Sequence, residues 1–453
     1  VNQPAPDIIN VGKLVDDQRI GWFLLGIVVL GFLAQIGDGY DLAAAAYAAP
    51  GITASWHIPR PALAPVFSAS LFGMLFGAPL FGYMGDRIGR RSGIVLCSFI
   101  CAGATLATAT AHSLPELIAL RFITGLGLGG LPANTIAIMA EYAPKRSRAI
   151  LITCMFMGIT FGGIVPAIVT TIAPHGGWQM LFVVGGVMPL VAGILNFLFM
   201  PESFKFLALR RAAPARLVAL ARRMGAAIGP NATPRFVFAA EPARRFPLGA
   251  LFEARLRFTT PLIWLIFITN LMANFFLNSW MPTLFRAAGL TASDAAMTTS
   301  MYYVGGIVGG LVIGRALDRV GMGIIPLFML LACPAVILLG DASTYAVGLK
   351  LAVFAVGVTV LGNQLALNAL VGLVYPTAIR ANGAGWALGV GRLGAICGPL
   401  IGGALLARHL PTTVLFMAPA VPLLIGAVAG FLLRAQAAER FGQGAVTAEA
   451  QPR

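Results

Sequence analysis

Residues 82–91, Gly82-Tyr-Met-Gly-Asp-Arg-Ile-Gly-Arg-Arg91 ("GYMGDRIGRR"), set four charges in ten residues of a chain that is only 10% charged. The stretch lies between two apolar runs, each long enough to cross a bilayer core of about 30 Å. A shorter copy, "GRALDRVG" from Gly314 to Gly321, lies 232 residues later between another such pair. The same offset carries Arg148-Ala149 onto Arg380-Ala381. Two unrelated pairs at one spacing mark an internal duplication, so the chain reads as two similar sets of helices joined in series. The second copy departs from the first in one respect. Gly321 is followed by Met-Gly rather than by two arginines.

Working outward, apolar runs recur along the whole chain, which is 58% hydrophobic with 54 glycines in 453 residues. They predict twelve spans, at 22–49, 61–84, 92–112, 115–142, 149–173, 178–200, 259–285, 294–317, 323–341, 344–375, 381–408 and 411–434. The expected fold is an all-α polytopic membrane protein in a 6+6 arrangement. Residues 1–200 form a leader and six spans, 201–258 a linker, 259–434 six more spans and 435–453 a tail. The first run is too long for a cleavable signal and carries an acidic pair. The net charge of +15 does not point to nucleic acid, because 25 of the 31 Lys and Arg fall on one side of the twelve spans. Only Arg60, Arg286, Lys350 and Arg408 fall on the other. The positive-inside rule puts both termini and the linker in the cytoplasm of an inner membrane. All five cysteines fall within spans at no metal-ligand spacing and read as packing residues.

The loop at 82–91 resembles that of the major facilitator superfamily in full. "DGYD" at 38–41, "RFITGLGLGG" at 121–130, "EYAPKRSRA" at 141–149, "SWMPTLF" at 279–285 and "YPTAIRANGAGWALGVGRLGAICGPLIGG" at 375–403 are similar to one branch of it, the aromatic acid:proton symporters. With the leader "DIINVGKLVDD", the resemblance covers nearly the whole chain. It implies proton-coupled uptake of an aromatic carboxylic acid of the benzoate or hydroxybenzoate class by alternating access, with DGYD as the acidic motif. It also implies no cofactor beyond the proton gradient, a monomer in the lipid bilayer, and no nucleic acid partner.

Four ionisable groups lie deep within spans: Asp38, Asp41, Arg121 and Arg392. A charge there costs a few kcal/mol or more unless paired or hydrated, so each reads first as functional. Asp38 and Asp41 are three residues apart and share a helix face, with Gly37 and Gly39 flanking the first. Two such carboxylates do not both ionise readily in a low dielectric, which suits a proton carrier. Counting from the expected span ends, Asp41 and Arg121 both lie about 10 Å below the outer boundary and can meet. Arg392 lies about 16 Å in from the other side, at a depth shared by Asn270, Asn274, Asn363, Gln364 and Asn368. A guanidinium with amides suits a carboxylate on a ring with a polar substituent, and Tyr40, Phe275, Trp280, Tyr302 and Trp386 are candidate ring contacts. Arg392 is the first choice for that carboxylate, and Arg121 for coupling to the aspartates.

Asp86, Arg87, Arg90, Glu141 and Arg148, with Asp318, Arg319 and Arg380 from the second copy, form a candidate gating network on the cytoplasmic face. Two rival readings keep the fold or the membrane: an efflux transporter of organic anions, and a membrane sensor of aromatic acids. An enzyme is disfavoured, since the spans hold no His cluster, nucleophile set or phosphate loop.

Overall fold

The computed structural model describes residues 8–173, 176–210, 213–226, 228–229, 234–237, 248–253, 256–341, 346–375 and 379–441. Among them, eleven helices are long and apolar enough to cross a membrane, and a shorter apolar helix, Ile324–Gly340, stands at the ninth expected span. Helices are the form these runs must take, because hydrocarbon offers no partner to a free N–H or C=O. The first six spans are Trp22–Trp56, Ala64–Ile88, Arg90–Thr108, Leu114–Tyr142, Arg148–Ile172 and Gly177–Phe199. The seventh to ninth are Thr259–Ala287, Ala292–Val320 and Ile324–Asp341. The tenth is Ala346–Val356 and Gly362–Val374 with a π-helical segment, Gly357–Leu361, between them. Arg380–Ala407 is the eleventh, and Thr412–Met417 with Ala420–Phe441 the twelfth.

Three spans differ from expectation, the twelfth by a break after Met417 and an extension to Phe441. The first span does not stop near Pro50 but runs on to Trp56, ending at His57 in the left-handed region. Packing overrides the proline. Gly51 lies against Trp178 of the sixth span, Trp56 meets the same ring edge-on at 5.6 Å, and Ile52 is buried. The tenth span, expected to be continuous, carries the π segment directly before Asn363 and Gln364. An extra residue in one turn re-aims the side chains that follow, as π-bulges at functional sites often do.

The duplication is visible in how the helices touch. A Cβ on Gly125 would lie 2.0 Å from the Ser70 carbonyl oxygen; 232 residues on, one on Gly357 would lie 2.1 Å from that of Tyr302. Gly162 against Ile36 (2.1 Å) and Gly394 against Ile268 (2.0 Å) repeat the pattern between the first and fifth, and the seventh and eleventh, spans. Small residues let backbones approach closely where apolar burial cannot drive helices together in lipid. Gly89 and Gly321, also 232 apart, end the second and eighth spans at φ 103 and 82.

The termini side carries a thin layer of further structure. Ile8–Asn10 pairs in parallel with Arg235–Val237, and the helix Val11–Asp17 is capped by Asn10. Asp16 binds Lys145 through side chain (3.0 Å) and backbone (3.1 Å), which holds its carboxyl below the usual range. The linker adds the helices Phe204–Leu209 and Pro214–Arg223.

On this packing, Gly162→Ala forces a methyl into a backbone carbonyl, and overpacking of that kind costs about 1–3 kcal/mol. Gly26→Ala, whose Cβ meets nothing within 4 Å, is its control. Heating the detergent-solubilised proteins and following the monodisperse fraction by size exclusion should show a lower midpoint for the first and none for the second.

Candidate functional site

The DGYD segment sits in the middle of the first span, and its two carboxylates part company. Asp41 turns to the third and fourth spans. Both its oxygens accept from Arg121, at 2.6 and 2.7 Å, in a fork-to-fork pair, and Thr105 Oγ1 donates at 3.2 Å. Arg121 also reaches the Asp41 carbonyl at 3.3 Å and lies 5.9 Å from the Phe182 ring. Both side chains are fully enclosed, at 0 and 1% exposure. The first span extends two turns past its expected end, so Asp41 lies further from the end of its helix than the sequence count placed it, and Arg121 still reaches it.

Asp38 faces the other half of the molecule. It is buried, its Oδ1 has no hydrogen-bond partner, and the opposite charge that acts on it is Arg392 of the eleventh span. Arg392 in turn has a buried Nη1 with no partner. The two groups lie within Coulombic range without a hydrogen bond or ion-pair contact between them. One comes from each half of the duplication, and both are left open.

The amides of the second half bond to one another and to two tyrosines. Asn270 donates to Gln364 Oε1 at 2.8 Å, and Asn363 donates to Asn270 Oδ1 at 3.4 Å. Tyr302 donates to Asn274 Oδ1 at 2.6 Å. One turn further on, Tyr303 donates to Asn278. Asn278 and Tyr303 escaped the sequence reading, although the spacing 270, 274, 278 is a signal for one helix face. Thr105 gave no signal at all. The Asn368 side chain lies outside the described residues.

The aromatic candidates scatter. Tyr40 is buried inside the first half, donating to the Leu181 carbonyl at 2.8 Å. Trp280 is buried, donates to the Pro399 carbonyl at 3.1 Å and meets Phe67 edge-on at 5.2 Å. Trp386 stacks on Trp264 near the termini side and is 41% exposed. Phe275 is half-buried. Of these five, only Tyr302 is hydrogen-bonded to a candidate amide.

On the termini side, Asp86 pairs with Arg90, one turn on in the next helix, and Arg87 stacks on Tyr83 at 4.7 Å. Glu141 accepts from Ser203, and Arg148 donates to the Ala143 carbonyl. The sequence reading missed Glu202, which accepts from the Arg91 N–H at 3.1 Å and from Ser92, and lies against Gly89. Its signal was the Pro201-Glu202-Ser203 turn directly after the sixth span. These bonds stay within the first half and the linker start. Arg319 is exposed; the side chains of Asp318 and Arg380 lie outside the described residues.

The halves meet on the opposite side. Tyr47 donates to the Ala296 carbonyl at 3.4 Å, Ser68 to that of Ile396 at 2.9 Å, and Ser293 to Thr171 at 3.2 Å. Tyr303 packs on Gly163 between them.

Breaking the enclosed pair leaves an uncompensated charge, at about 3–5 kcal/mol. Arg121→Ala should therefore yield little monodisperse protein. Asp41→Asn with Arg121→Gln, which removes both charges, should recover folding as judged by thermal midpoint and yield.

Comparison with known proteins places this architecture. The Major Facilitator Superfamily profile matches residues 27–387 and 263–451. The chain is 35% identical to the gallate transporter of Pseudomonas putida, over 94% of this chain and 95% of that protein. It is 35% identical to the 4-hydroxybenzoate transporter of Pseudomonas aeruginosa, over 89% and 91%. Among solved structures, the D-xylose-proton symporter has a TM-score of 0.68 at 16% identity, over 91% of this chain and 97% of that one. A bacterial homologue of the lysosomal transporter Spinster, in an inward-facing and occupied conformation, has 0.69 at 16%, over 91% and 96%. The chain is thus a multi-pass inner-membrane transporter and not an enzyme, and it belongs to the major facilitator superfamily, in its aromatic acid transporter family.

Proposed function

We infer that this transporter takes up an aromatic carboxylate of the benzoate or hydroxybenzoate class together with protons, by alternating access. The observation that carries the reading is the open pair, Asp38 from one half and Arg392 from the other. An aromatic acid is an anion at neutral pH, and a negative interior opposes its entry by about 2.3 kcal/mol per charge per 100 mV. A proton carried on the same cycle cancels that charge. Protonation of Asp38 releases Arg392 to grip the substrate carboxylate through two parallel hydrogen bonds. Loss of the substrate and of the proton returns the two groups to mutual attraction. Asp41, held by Arg121, keeps a fixed ion pair beside the carrier.

The amide group formed by Asn270, Asn363, Gln364 and Asn274, with Tyr302, supplies donors and acceptors for a ring substituent, and Asn368 belongs to the same stripe by spacing. With the termini in the cytoplasm, as the charge asymmetry favours, contacts on the opposite side make this an inward-facing arrangement. The loop residues Asp86, Arg87, Arg90, Glu141 and Arg148, with Asp318, Arg319 and Arg380, then act as the gate that closes when that side shuts. Their present bonds within one half fit an open gate.

Two experiments test the reading. Calorimetry with 4-hydroxybenzoate should show binding weakened in Arg392→Lys and nearly lost in Arg392→Ala, while 4-hydroxybenzamide loses little. Equal binding of the acid to Arg392→Ala and wild type would remove Arg392 from the site. In proteoliposomes with an imposed pH gradient, Asp38→Asn should exchange labelled substrate yet fail to accumulate it; a wild-type accumulation ratio would count against Asp38 as the carrier.

A further inference from the structure

One turn before Asp38 on the first span, Gln35 is completely buried, and neither its Nε2 nor its Oε1 has a partner. Among the described residues it is the only side-chain amide with both polar atoms enclosed and unbonded; Asn134, Asn196 and Asn363 each leave only the oxygen unbonded. A buried polar group without a partner costs about 1–3 kcal/mol, so two on one side chain are a large structural penalty. The fold does not require an amide here. The equivalent position in the second half, 232 residues on, is Phe267, which is fully buried.

The surroundings say what Gln35 faces. Its Cβ lies at the fifth span, near Gly158, and helix geometry sets positions 35 and 38 on adjoining faces, about 5–6 Å apart at Cβ. Helical side chains lean toward the helix N-terminus, so the Asp38 carboxyl tilts down onto the Gln35 turn. That direction leads to the termini side, away from the end sealed by Tyr47, Ser68 and Tyr303. The ionisable groups around the pair are Asp41 on the same helix, Cys101 of the third span, Arg121 of the fourth and Arg392 of the eleventh. The fifth and sixth spans bring Met155, Ile159 and Pro189 to this helix, none of which titrates.

We propose that Gln35 is a positioning residue for proton transfer, its amide holding an internal water between Asp38 and the termini side. An amide binds water both as donor and as acceptor, and buried waters are found where two to four polar groups converge. In the release step the Asp38 O–H bond breaks and its proton passes to the held water. As its new O–H bond forms, another O–H bond of that water breaks and gives its proton to solvent water on the termini side, leaving Asp38 as the carboxylate and the held water neutral. This role rests on the proton-coupled reading above.

The test uses the full chain in liposomes with labelled 4-hydroxybenzoate, comparing wild type, Gln35→Met and Gln35→Asn. Exchange at equal pH reports binding and conformational cycling; accumulation under an imposed pH gradient reports coupling. Gln35→Met, which keeps the volume and removes the amide, should exchange like wild type and accumulate about tenfold less or lower still. Its thermal midpoint should be unchanged or raised, because the unpaired groups are gone. Gln35→Asn should regain a substantial part of the accumulation. Wild-type accumulation by Gln35→Met overturns the proposal. Equal losses of exchange and accumulation also overturn it, since Gln35 would then serve binding or packing. Wild type that exchanges but never accumulates overturns the proton-coupled reading itself, and the role of Gln35 with it.

Discussion

A charge inside hydrocarbon has no water to turn to, and this constraint sorts every ionisable residue in the bundle. Asp41 and Arg121 satisfy it with each other. Their two parallel hydrogen bonds, Thr105 and the enclosing Phe182 make a closed unit that ties the first span to the third and fourth. Asp38 and Arg392 obey the same constraint only in part. Each keeps an unbonded atom although an opposite charge lies within Coulombic range. The fold thus solves the problem fully at one aspartate and leaves it open three residues away.

The scaffold that holds these groups is built twice. Glycines at equivalent positions bring the second span against the fourth, the eighth against the tenth, the first against the fifth and the seventh against the eleventh. Onto this shared frame the halves place different chemistry. Asp38 corresponds to Asn270, and Arg392 to Thr160, at the 232-residue offset. The first half therefore carries carboxylates and the second carries amides with a guanidinium. Equivalent positions of one repeated frame thus differ in polarity and charge.

The contacts between the halves lie toward the side away from the termini, whereas the charged loop bonds only to its own half and the start of the linker. The bonds across this seam are few and single. Tyr47, Ser68 and Ser293 each contribute a single hydrogen bond across it, worth about 0.5–1.5 kcal/mol net.

The sequence determined the fold class, the span count, the duplication and the four intramembrane charges. Hydrophobic run length, a repeated charged loop and the cost of charge in lipid are properties of the chain read in one dimension. It also singled out Asn270, Asn363 and Gln364, which bond to one another. What it did not determine is direction around each helix and which neighbour lies there. Asp38 and Asp41 look equivalent in sequence, yet a turn of some 60° between i and i+3 sends one to Arg121 and the other toward Arg392. Tyr40 and Trp280 look like ring contacts, but their polar atoms are taken by backbone carbonyls of other spans. The first span outran Pro50 because Trp178 packs against its last turns, and Gln35 shows its unbonded amide only once the fifth span has closed over it. Those outcomes depend on partners hundreds of residues away, so only the packed bundle decides them.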